Sequence, residues 1–362
     1  MAFLVIAYGL PLAFRLPMVK DHLSSSVISV DVEDDLKTVA QLLSRNRITG
    51  APVVEDGTVI GILSRNDLLR AICTVPTDAS DQTKEESLDK IRATKVWKVC
   101  QDIGKPLSIL PEASLLEATK LMTDRRFNRL MVKGQYSSML GIITSTDTVF
   151  SLLGCDAASA RNIDTSEHKF GSLPSGTRDS EDSESSAQEE LCGLGSAAGV
   201  QEWMTQTGLI VMPPDMNLRD AGLLLRAAVV TGAPVIDDGR LVGVVSRNDL
   251  LTGLLSIPME AKQDEFESEV ARLQALPVRE LMSPSPVTIT PEISMLGAAK
   301  IMAESRLNRL LVTSAEGSDD LIGIISSTDL VFALLGCGAD DADADVAIDP
   351  RRLGNLYRPG IY

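Results

Sequence analysis

The sequence predicts an α+β protein made of four small repeats, each with the order β-α-β-β-α, that pack pairwise into two modules. One pattern of glycine, two aliphatic residues, a hydroxyl and an aspartate occurs four times in the chain. The two halves of the chain match at a constant offset of 182 residues. The composition is 44% hydrophobic but only 4% aromatic, which is typical of an aliphatic core between sheets and helices.

The repeated pattern shows two levels of duplication. "GILSRNDLL" begins at Gly61, and "GVVSRNDLL" begins 182 residues later at Gly243. The looser relatives "GIITSTDTV" and "GIISSTDLV" begin at Gly141 and Gly323. Since the first motif aspartate precedes the second by 80 residues in both halves, each half is itself a duplication.

The elements of one repeat follow from its apolar pattern. In the first repeat a short strand over 27–30 precedes a helix with one apolar face, formed by Leu36, Val39, Leu42 and Leu43. The remaining elements are a strand over 50–54, a turn over 55–57, a strand over 59–63 and a helix that opens at Ser64. A unit of about 55 residues is too thin to bury both faces of its sheet, so each repeat is expected to pair with its neighbour.

Boundaries follow from the repeats and from shifts in composition. Inserts between the repeats are predicted to be helical over 84–91 and 265–275. The predicted division is an N-terminal extension 1–18, a first module 19–154 with repeats at 19–75 and 94–154, a flexible acidic Ser-rich linker 155–199, a second module 200–337 with repeats at 200–256 and 276–337, and an acidic C-terminal tail 338–362.

Charge restricts the classes of partner. The formal net charge is −16, and most of it lies in the predicted linker and tail, so the modules themselves are only mildly acidic. This balance argues against a generic nucleic-acid binder, which needs clustered Lys and Arg to neutralise phosphates. A small anionic ligand is compatible with it.

Cysteine usage and the apolar start bear on location. The five cysteines form an odd, widely spaced set without a CxxC pair, which favours a reducing intracellular compartment: the cytoplasm, or an organelle such as a plastid or mitochondrion. The start, "MAFLVIAYGLPLAF", lacks the basic region of a secretory signal, and with Pro11 it is too short to span a membrane. No membrane partner is therefore expected.

The motif hydroxyl and aspartate allow two interpretations. A hydroxyl followed three residues later by an acid resembles a capping box, although Asp is shorter than the usual Glu. Alternatively, a carboxylate at a helix start can accept hydrogen bonds from the paired hydroxyls of a ribose, with the Ser or Thr hydroxyl as an additional contact. The pairs are Ser64 and Asp67, Thr144 and Asp147, Ser246 and Asp249, and Ser326 and Asp329.

The four-fold pattern resembles cystathionine β-synthase (CBS) domains arranged as two Bateman modules, over roughly residues 19–154 and 200–336. The resemblance implies that paired repeats pack sheet to sheet and leave two clefts for adenosine-containing ligands. It also implies that the motif aspartate holds the ribose and the motif hydroxyl contacts ribose or phosphate. The predicted ligand is an adenine nucleotide, AMP, ADP or ATP, with Mg²⁺ as a companion of the ligand and no catalytic cofactor. The backbone candidates for the adenine are Gly50, Ala51, Pro52, Gly232, Ala233 and Pro234.

Four arginines are candidates for the phosphate. Nucleotide-binding members of the family often carry a His-Arg pair on the strand after the first helix, whereas this chain has Asn128 before Arg129 and Asn308 before Arg309. These strand arginines either reach out to water or meet phosphate with their forked donors. By resemblance, Arg129 would share a cleft with Asp67, and Arg309 with Asp249. Arg65 and Arg247 lie in the first turn of a helix, where a cation opposes the helix dipole and favours an anion nearby.

The resulting functional prediction is a stand-alone, non-catalytic regulatory protein that senses adenine nucleotides and transmits their state to an unidentified protein partner. With only two histidines and no Walker loop or nucleophile elbow, the chain lacks the residues of a hydrolase or transferase site. The alternative is a ligand-independent scaffold whose modules dimerise. Pairing of the modules is expected either within one chain or in a homodimer.

Overall fold

The computed structural model describes residues 16–100, 106–134, 139–170 and 198–336. Most of the predicted N-terminal extension, the part of the linker from 171 to 197, and the tail from 337 onwards lie outside the described residues.

The first repeat has the predicted order of elements. Its helices begin at residues that cap them, since Asp35 accepts from the Thr38 backbone N–H and Ser64 precedes the second helix in a capping box. Positive φ angles at Asp56 and Gly57 form the predicted hairpin turn. The elements are β1 (Val30–Asp31), α1 (Leu36–Arg45), β2 (Gly50–Glu55), β3 (Thr58–Ser64) and α2 (Arg65–Ile72). β2 pairs parallel to β1 and antiparallel to β3.

The second repeat follows the helix of the first insert, α3 (Asp81–Arg92), which the sequence predicted. It forms the same three-stranded sheet, with β5 in the centre. Its elements are α4 (Val96–Cys100), β4 (Ser108–Ile109), α5 (Leu115–Arg125), β5 (Arg129–Lys133), β6 (Met139–Thr144) and α6 (Ser145–Leu152).

The start of the linker differs from the prediction of a flexible segment over 155–199. After Gly154, whose φ of +65° ends α6, residues 157–160 form α7 (Ala157–Ala160) and residues 169–170 form β7 (Lys169–Phe170). β7 pairs antiparallel with a strand of the third repeat, and Ile163 packs against the core. The order of this segment could not be predicted from its composition, because only a few apolar residues, spaced without a regular period, attach it to the core.

The third and fourth repeats continue the pattern, and the second insert forms the predicted helix. In the third repeat the strand before the first helix pairs instead with β7, and only Met212 bridges to Val235 in parallel. The elements are α8 (Val200–Trp203), β8 (Leu209–Ile210), α9 (Leu218–Ala227), β9 (Gly232–Asp237), β10 (Arg240–Ser246), α10 (Arg247–Gly253), α11 (Gln263–Ala275), β11 (Thr288–Ile289), α12 (Met295–Glu304), β12 (Arg309–Thr313), β13 (Leu321–Ser326) and α13 (Ser327–Val331).

Within each half, the segment that leads into one repeat packs on the other repeat. Ser24 bridges to Ile142 in the second repeat, and Asp35 of the first repeat bridges to Lys95, which leads into the second. Thr205 and Ile324 form the equivalent bridge in the second half. Because each leading segment crosses to the other repeat of its half, these segments hold the repeats together in pairs, and the sequence predicted such pairs.

The two halves pack on each other within one chain through their helices. One core combines Leu116 and Val149 of the second repeat with Leu224 and Leu250 of the third. The other core combines the first repeat with the fourth, among them Leu36, Leu69, Leu296 and Leu334. Both of these cores are therefore shared between the halves, whereas a smaller cluster of Leu209, Leu241, Leu311 and Leu321 lies within the second half.

Candidate functional site

The four motif aspartates all form capping boxes. The backbone N–H and the hydroxyl of Ser64 donate to Oδ2 of Asp67, at 2.8 and 2.6 Å. Thr144 donates to Asp147 in the same way, at 2.8 and 2.6 Å. The third and fourth repeats repeat this geometry with Ser246 and Asp249 and with Ser326 and Asp329. The capping interpretation thus describes the local structure of all four motifs.

Each box uses only one of the two carboxylate oxygens. Among the described residues, no hydrogen bond reaches Oδ1 of Asp147, Asp249 or Asp329. Oδ1 of Asp67 accepts from the side chain of Arg70, which is largely exposed. A carboxylate oxygen has two lone pairs, so each motif keeps an acceptor that a ligand hydroxyl can use while the cap stays closed.

The strand arginines reach across to the neighbouring repeat of the same half. Arg129 donates to the hydroxyl of Thr49 in the first repeat. Arg309 donates to the carbonyl of Gly232 in the third repeat. Both side chains are only partly exposed, so they lie against protein instead of extending into water.

Two glycines make room for these guanidinium groups. Gly50 pairs with Ser64 in the sheet and Arg129 pairs with Thr144, so the two occupy equivalent positions in neighbouring repeats. A Cβ added at Gly232 would lie 2.9 Å from Nη1 of Arg309 and 2.6 Å from the carbonyl oxygen of Val245. Each half therefore accommodates one strand arginine, opposite a glycine.

The six backbone candidates for the adenine lie at the start of β2 and β9. Ala51 and Ala233 are fully buried and paired with the adjacent strand. The carbonyl of Pro234 accepts from the backbone N–H of Met212. Gly50 and Gly232 lie against the arginines, while Pro52 is buried inside its sheet.

The four candidate arginines lie close enough to repel one another. Burial and the charge of Arg129 lower the pKa of Arg65 to about 10, and Arg247 and Arg309 also contribute. Burial and Arg247 lower the pKa of Arg129 and of Arg309 to about 10. Burial lowers the pKa of Arg247 to about 10 as well. Four cations converge at this point, a costly arrangement unless anions approach them.

Each arginine has an opposing aspartate. Asp67 raises the pKa of Arg129 and Asp249 raises that of Arg309, as expected for pairs within one half. Asp329 raises the pKa of Arg65, and Asp147 raises that of Arg247. The last two pairs join different halves of the chain.

Three of the motif aspartates lie in surroundings that disfavour their charge. Burial raises the pKa of Asp147, Asp249 and Asp329, while the hydroxyl and backbone N–H of the capping box lower it again. The net direction is upward for all three. An ionised carboxylate at these positions is therefore stabilised less by water than by its cap and by the nearby arginine.

A cavity of about 410 Å³ lies on the first repeat, towards the hairpin end of β2 and β3. Its walls combine the carboxylates of Glu33 and Glu55 with Val32, Ile60, Trp97 and Cys100, and Trp97 is 39% exposed. Burial raises the pKa of Cys100 to about 11, and the carboxylate of Asp67 contributes in the same direction. No sequence motif marks Trp97, and its one distinguishing feature is that the chain has only two tryptophans.

The described residues contain neither a cluster suited to a metal ion nor a helix long and apolar enough to cross a membrane. His22 hydrogen bonds Ser151, and His168 lines a separate cavity beside the linker segment. Neither histidine forms a hydrogen bond with a motif aspartate.

Comparisons with known proteins agree with the repeat structure. The family model described as "CBS domain" matches residues 19–74, 100–154, 200–256 and 278–336, more than half of the chain. An uncharacterised protein of Methanocaldococcus jannaschii is 30% identical over 146 residues, which cover 35% of this chain and 86% of that protein.

Two further matches concern one plant protein. The chloroplastic CBS domain-containing protein CBSX2 of Arabidopsis thaliana is 35% identical over 153 residues, which cover 38% of this chain and 63% of that protein. A solved structure of CBSX2 in complex with AMP is 36% identical, covers 38% of this chain and 96% of that chain, and has a TM-score of 0.31.

Proposed function

Because this chain belongs to the CBS domain family, with four such domains in two pairs, we propose that it binds a phosphorylated adenosine in clefts between paired domains. The ligand is AMP, ADP or ATP, the last with Mg²⁺. The protein reports the occupied state to a partner protein in a reducing intracellular compartment. It carries out no catalytic step.

The observation that carries the proposal is the pairing of each motif aspartate with an arginine. One carboxylate oxygen closes the cap and the other is available to a ribose hydroxyl, as in Asp147, Asp249 and Asp329. A guanidinium near each carboxylate offers paired donors to phosphate oxygens. The same arginine cluster disfavours a cationic ligand such as S-adenosylmethionine.

The similarity to CBSX2 supports the choice of nucleotide, because that relative has been solved with AMP. The exposed indole of Trp97 supports the adenine part of the ligand, since it offers a stacking surface in the cavity of the first repeat.

Titration calorimetry of the full chain tests the proposal. AMP, ADP, and ATP with and without Mg²⁺ should bind, whereas adenosine should bind more weakly and S-adenosylmethionine least. The matched variant replaces all four motif aspartates by asparagine, which keeps one acceptor for the cap but removes the charge. Equal binding to wild type and to this variant would contradict the proposal.

A ligand-independent scaffold is the second candidate, and the closed capping boxes favour it, because they give the aspartates a structural role without any ligand. Thermal unfolding separates the two functions. A sensor gains stability from nucleotide by mass action, by about 2.7 kcal/mol at a concentration 100 times Kd. A scaffold unfolds at the same temperature with and without nucleotide.

A further inference from the structure

The residue after the motif hydroxyl differs between the repeats in a regular way. It is an arginine in the first and third repeats, Arg65 and Arg247, and a serine in the second and fourth, Ser145 and Ser327. Both serines are buried, and Ser327 Oγ finds no hydrogen-bond partner among the described residues. The same alternation of one arginine with one small residue occurs on the strands, where Arg129 lies against Gly50.

The helices that begin at these residues meet across the two halves. α2, which starts at Arg65, packs against α13, which starts at Ser327. α10, which starts at Arg247, packs against α6, which starts at Ser145. Each helix that begins with the arginine thus packs on a helix of the other half that begins with the serine.

The side chain of Arg65 is not satisfied by protein alone. Its Nε is buried and lacks a hydrogen-bond partner within the described part of the chain. A buried guanidinium nitrogen without a partner carries a desolvation penalty, which an anion in the adjacent cleft would relieve.

We propose that Arg65 and Arg247 act across the halves, so that Arg247 supplies the phosphate-binding charge for the cleft of Asp147, and Arg65 for the cleft of Asp329. This assignment rests on the proposed nucleotide binding. It makes the clefts of the second and fourth repeats composite sites that one half cannot complete. The first and third clefts instead use the strand arginines of their own half.

The electrostatic pairing supports this assignment. Asp147 opposes the effect of burial on the pKa of Arg247, whereas Asp249 acts on Arg309. Asp329 likewise opposes the effect of burial on the pKa of Arg65. Among the four candidate arginines, each aspartate therefore acts on a different one, two within the halves and two between them, while Arg70 also pairs with Asp67 and Arg226 also lowers the pKa of Asp147.

The test uses full-length protein with a single intact cleft. In one background only Asp147 is kept, and the other three motif aspartates are changed to asparagine. In a second background only Asp249 is kept. Arg247→Met is introduced into each, and AMP and adenosine binding are measured by calorimetry. We expect AMP affinity to fall about tenfold or more in the Asp147 background and to change less than about twofold in the Asp249 background, because a lost charge-assisted hydrogen bond has about that effect. Adenosine affinity should stay the same in both.

Arg309→Met is the matched control, and it should give the reverse pattern, with its loss confined to the Asp249 background. Arg247→Lys should recover part of the AMP affinity if the charge is what matters, which a purely structural role would not produce. Circular dichroism and the unfolding midpoint confirm that each variant is folded. A loss caused by Arg247→Met in the Asp249 background, or equal losses in both backgrounds, overturns the assignment. Absence of AMP binding to the wild-type protein overturns both this assignment and the proposed function.

Discussion

At the scale of single residues, the motif aspartate serves the fold and leaves a group for a ligand at the same time. One carboxylate oxygen accepts two hydrogen bonds from the capping residue, as Oδ2 of Asp329 does from Ser326 at 2.7 Å each. The shortness of Asp compared with Glu does not prevent the box from closing. Capping and ligand binding are therefore compatible roles of one side chain, divided between its two oxygens.

Asp329→Asn should show what the buried charge costs. Burial raises the pKa of Asp329, so the folded state holds a proton more tightly than the unfolded state, and this stabilising contribution is lost as pH rises above the ordinary value of 3.8. The variant should be at least as stable as the wild type at about pH 7, and this advantage should shrink as pH falls towards 4. Urea unfolding at both pH values measures the difference.

The control for this comparison is Asp156→Asn. Hydrogen bonds from Ser159 lower the pKa of the exposed Asp156, so the sign is reversed. That variant should lose stability at neutral pH and recover it on acidification. Parallel behaviour of the two variants would contradict the argument.

Arg65→Met should separate stability from binding. Burial, the other arginines and the unpaired Nε all make this charge costly in the absence of an anion. We expect the unfolding midpoint of the ligand-free variant to equal or exceed that of the wild type, with a gain on the order of 1 kcal/mol, while its affinity for AMP falls. Arg272→Met, on the exposed face of α11, is a control that should change neither. A clear loss of stability in Arg65→Met would show that the arginine is primarily structural.

At the scale of elements, the crossed leading segments determine which surfaces form a cleft. α4 leads into the second repeat but packs on the first, where the Trp97 backbone N–H donates to the Val32 carbonyl. This crossing places Trp97 and Cys100 in the wall of the cavity on the first repeat. The wall of that cavity thus comes from two repeats.

Tryptophan fluorescence tests whether this wall meets the adenine. The chain has two tryptophans, so in Trp203→Phe all indole emission comes from Trp97. Stacking of the base on the exposed ring should quench this emission saturably as AMP is added. Trp97→Phe retains Trp203, which packs edge-on against Phe332, and should show no quenching. Quenching only in the variant that lacks Trp97 would place the adenine elsewhere.

At the scale of the whole molecule, the two halves are joined by two hydrophobic cores to which both contribute residues. The first repeat shares its core with the fourth, and the second repeat shares its core with the third. The same contacts bring the four arginines together and close the composite clefts. The packing of the two halves is therefore also what places the arginines in the clefts.

A fragment consisting of residues 198–336 should show this dependence. Without the first half, the helix faces that carry Leu224, Leu250, Leu296 and Leu334 are exposed as a large apolar surface. We expect the fragment to dimerise through these faces, whereas the full chain, which covers them internally, stays monomeric at the same concentration. Light scattering after gel filtration distinguishes the two masses. A monomeric, stable fragment would contradict the shared-core description.

The repeats, their internal order and the residue types at each motif could all be read from the sequence. These features are local: the apolar period of α1, the turn at Asp56 and Gly57, and the hydroxyl-to-acid spacing all involve residues close together in the chain. The helices of both inserts were predictable for the same reason, and the attached segment around α7 was not, because it depends on contacts made by scattered residues.

Which arginine lies near which aspartate, by contrast, depends on how the two halves pack. Two of the pairs, Arg65 with Asp329 and Arg247 with Asp147, join residues that are distant in sequence and lie in different halves. The local sequence around one member of such a pair does not predict the other member. Their proximity comes from burying helix faces that no repeat can cover alone, a non-directional force that acts on whole surfaces. The sequence of each repeat specifies its apolar helix faces, and the packing of those faces brings the arginines and aspartates of different halves together.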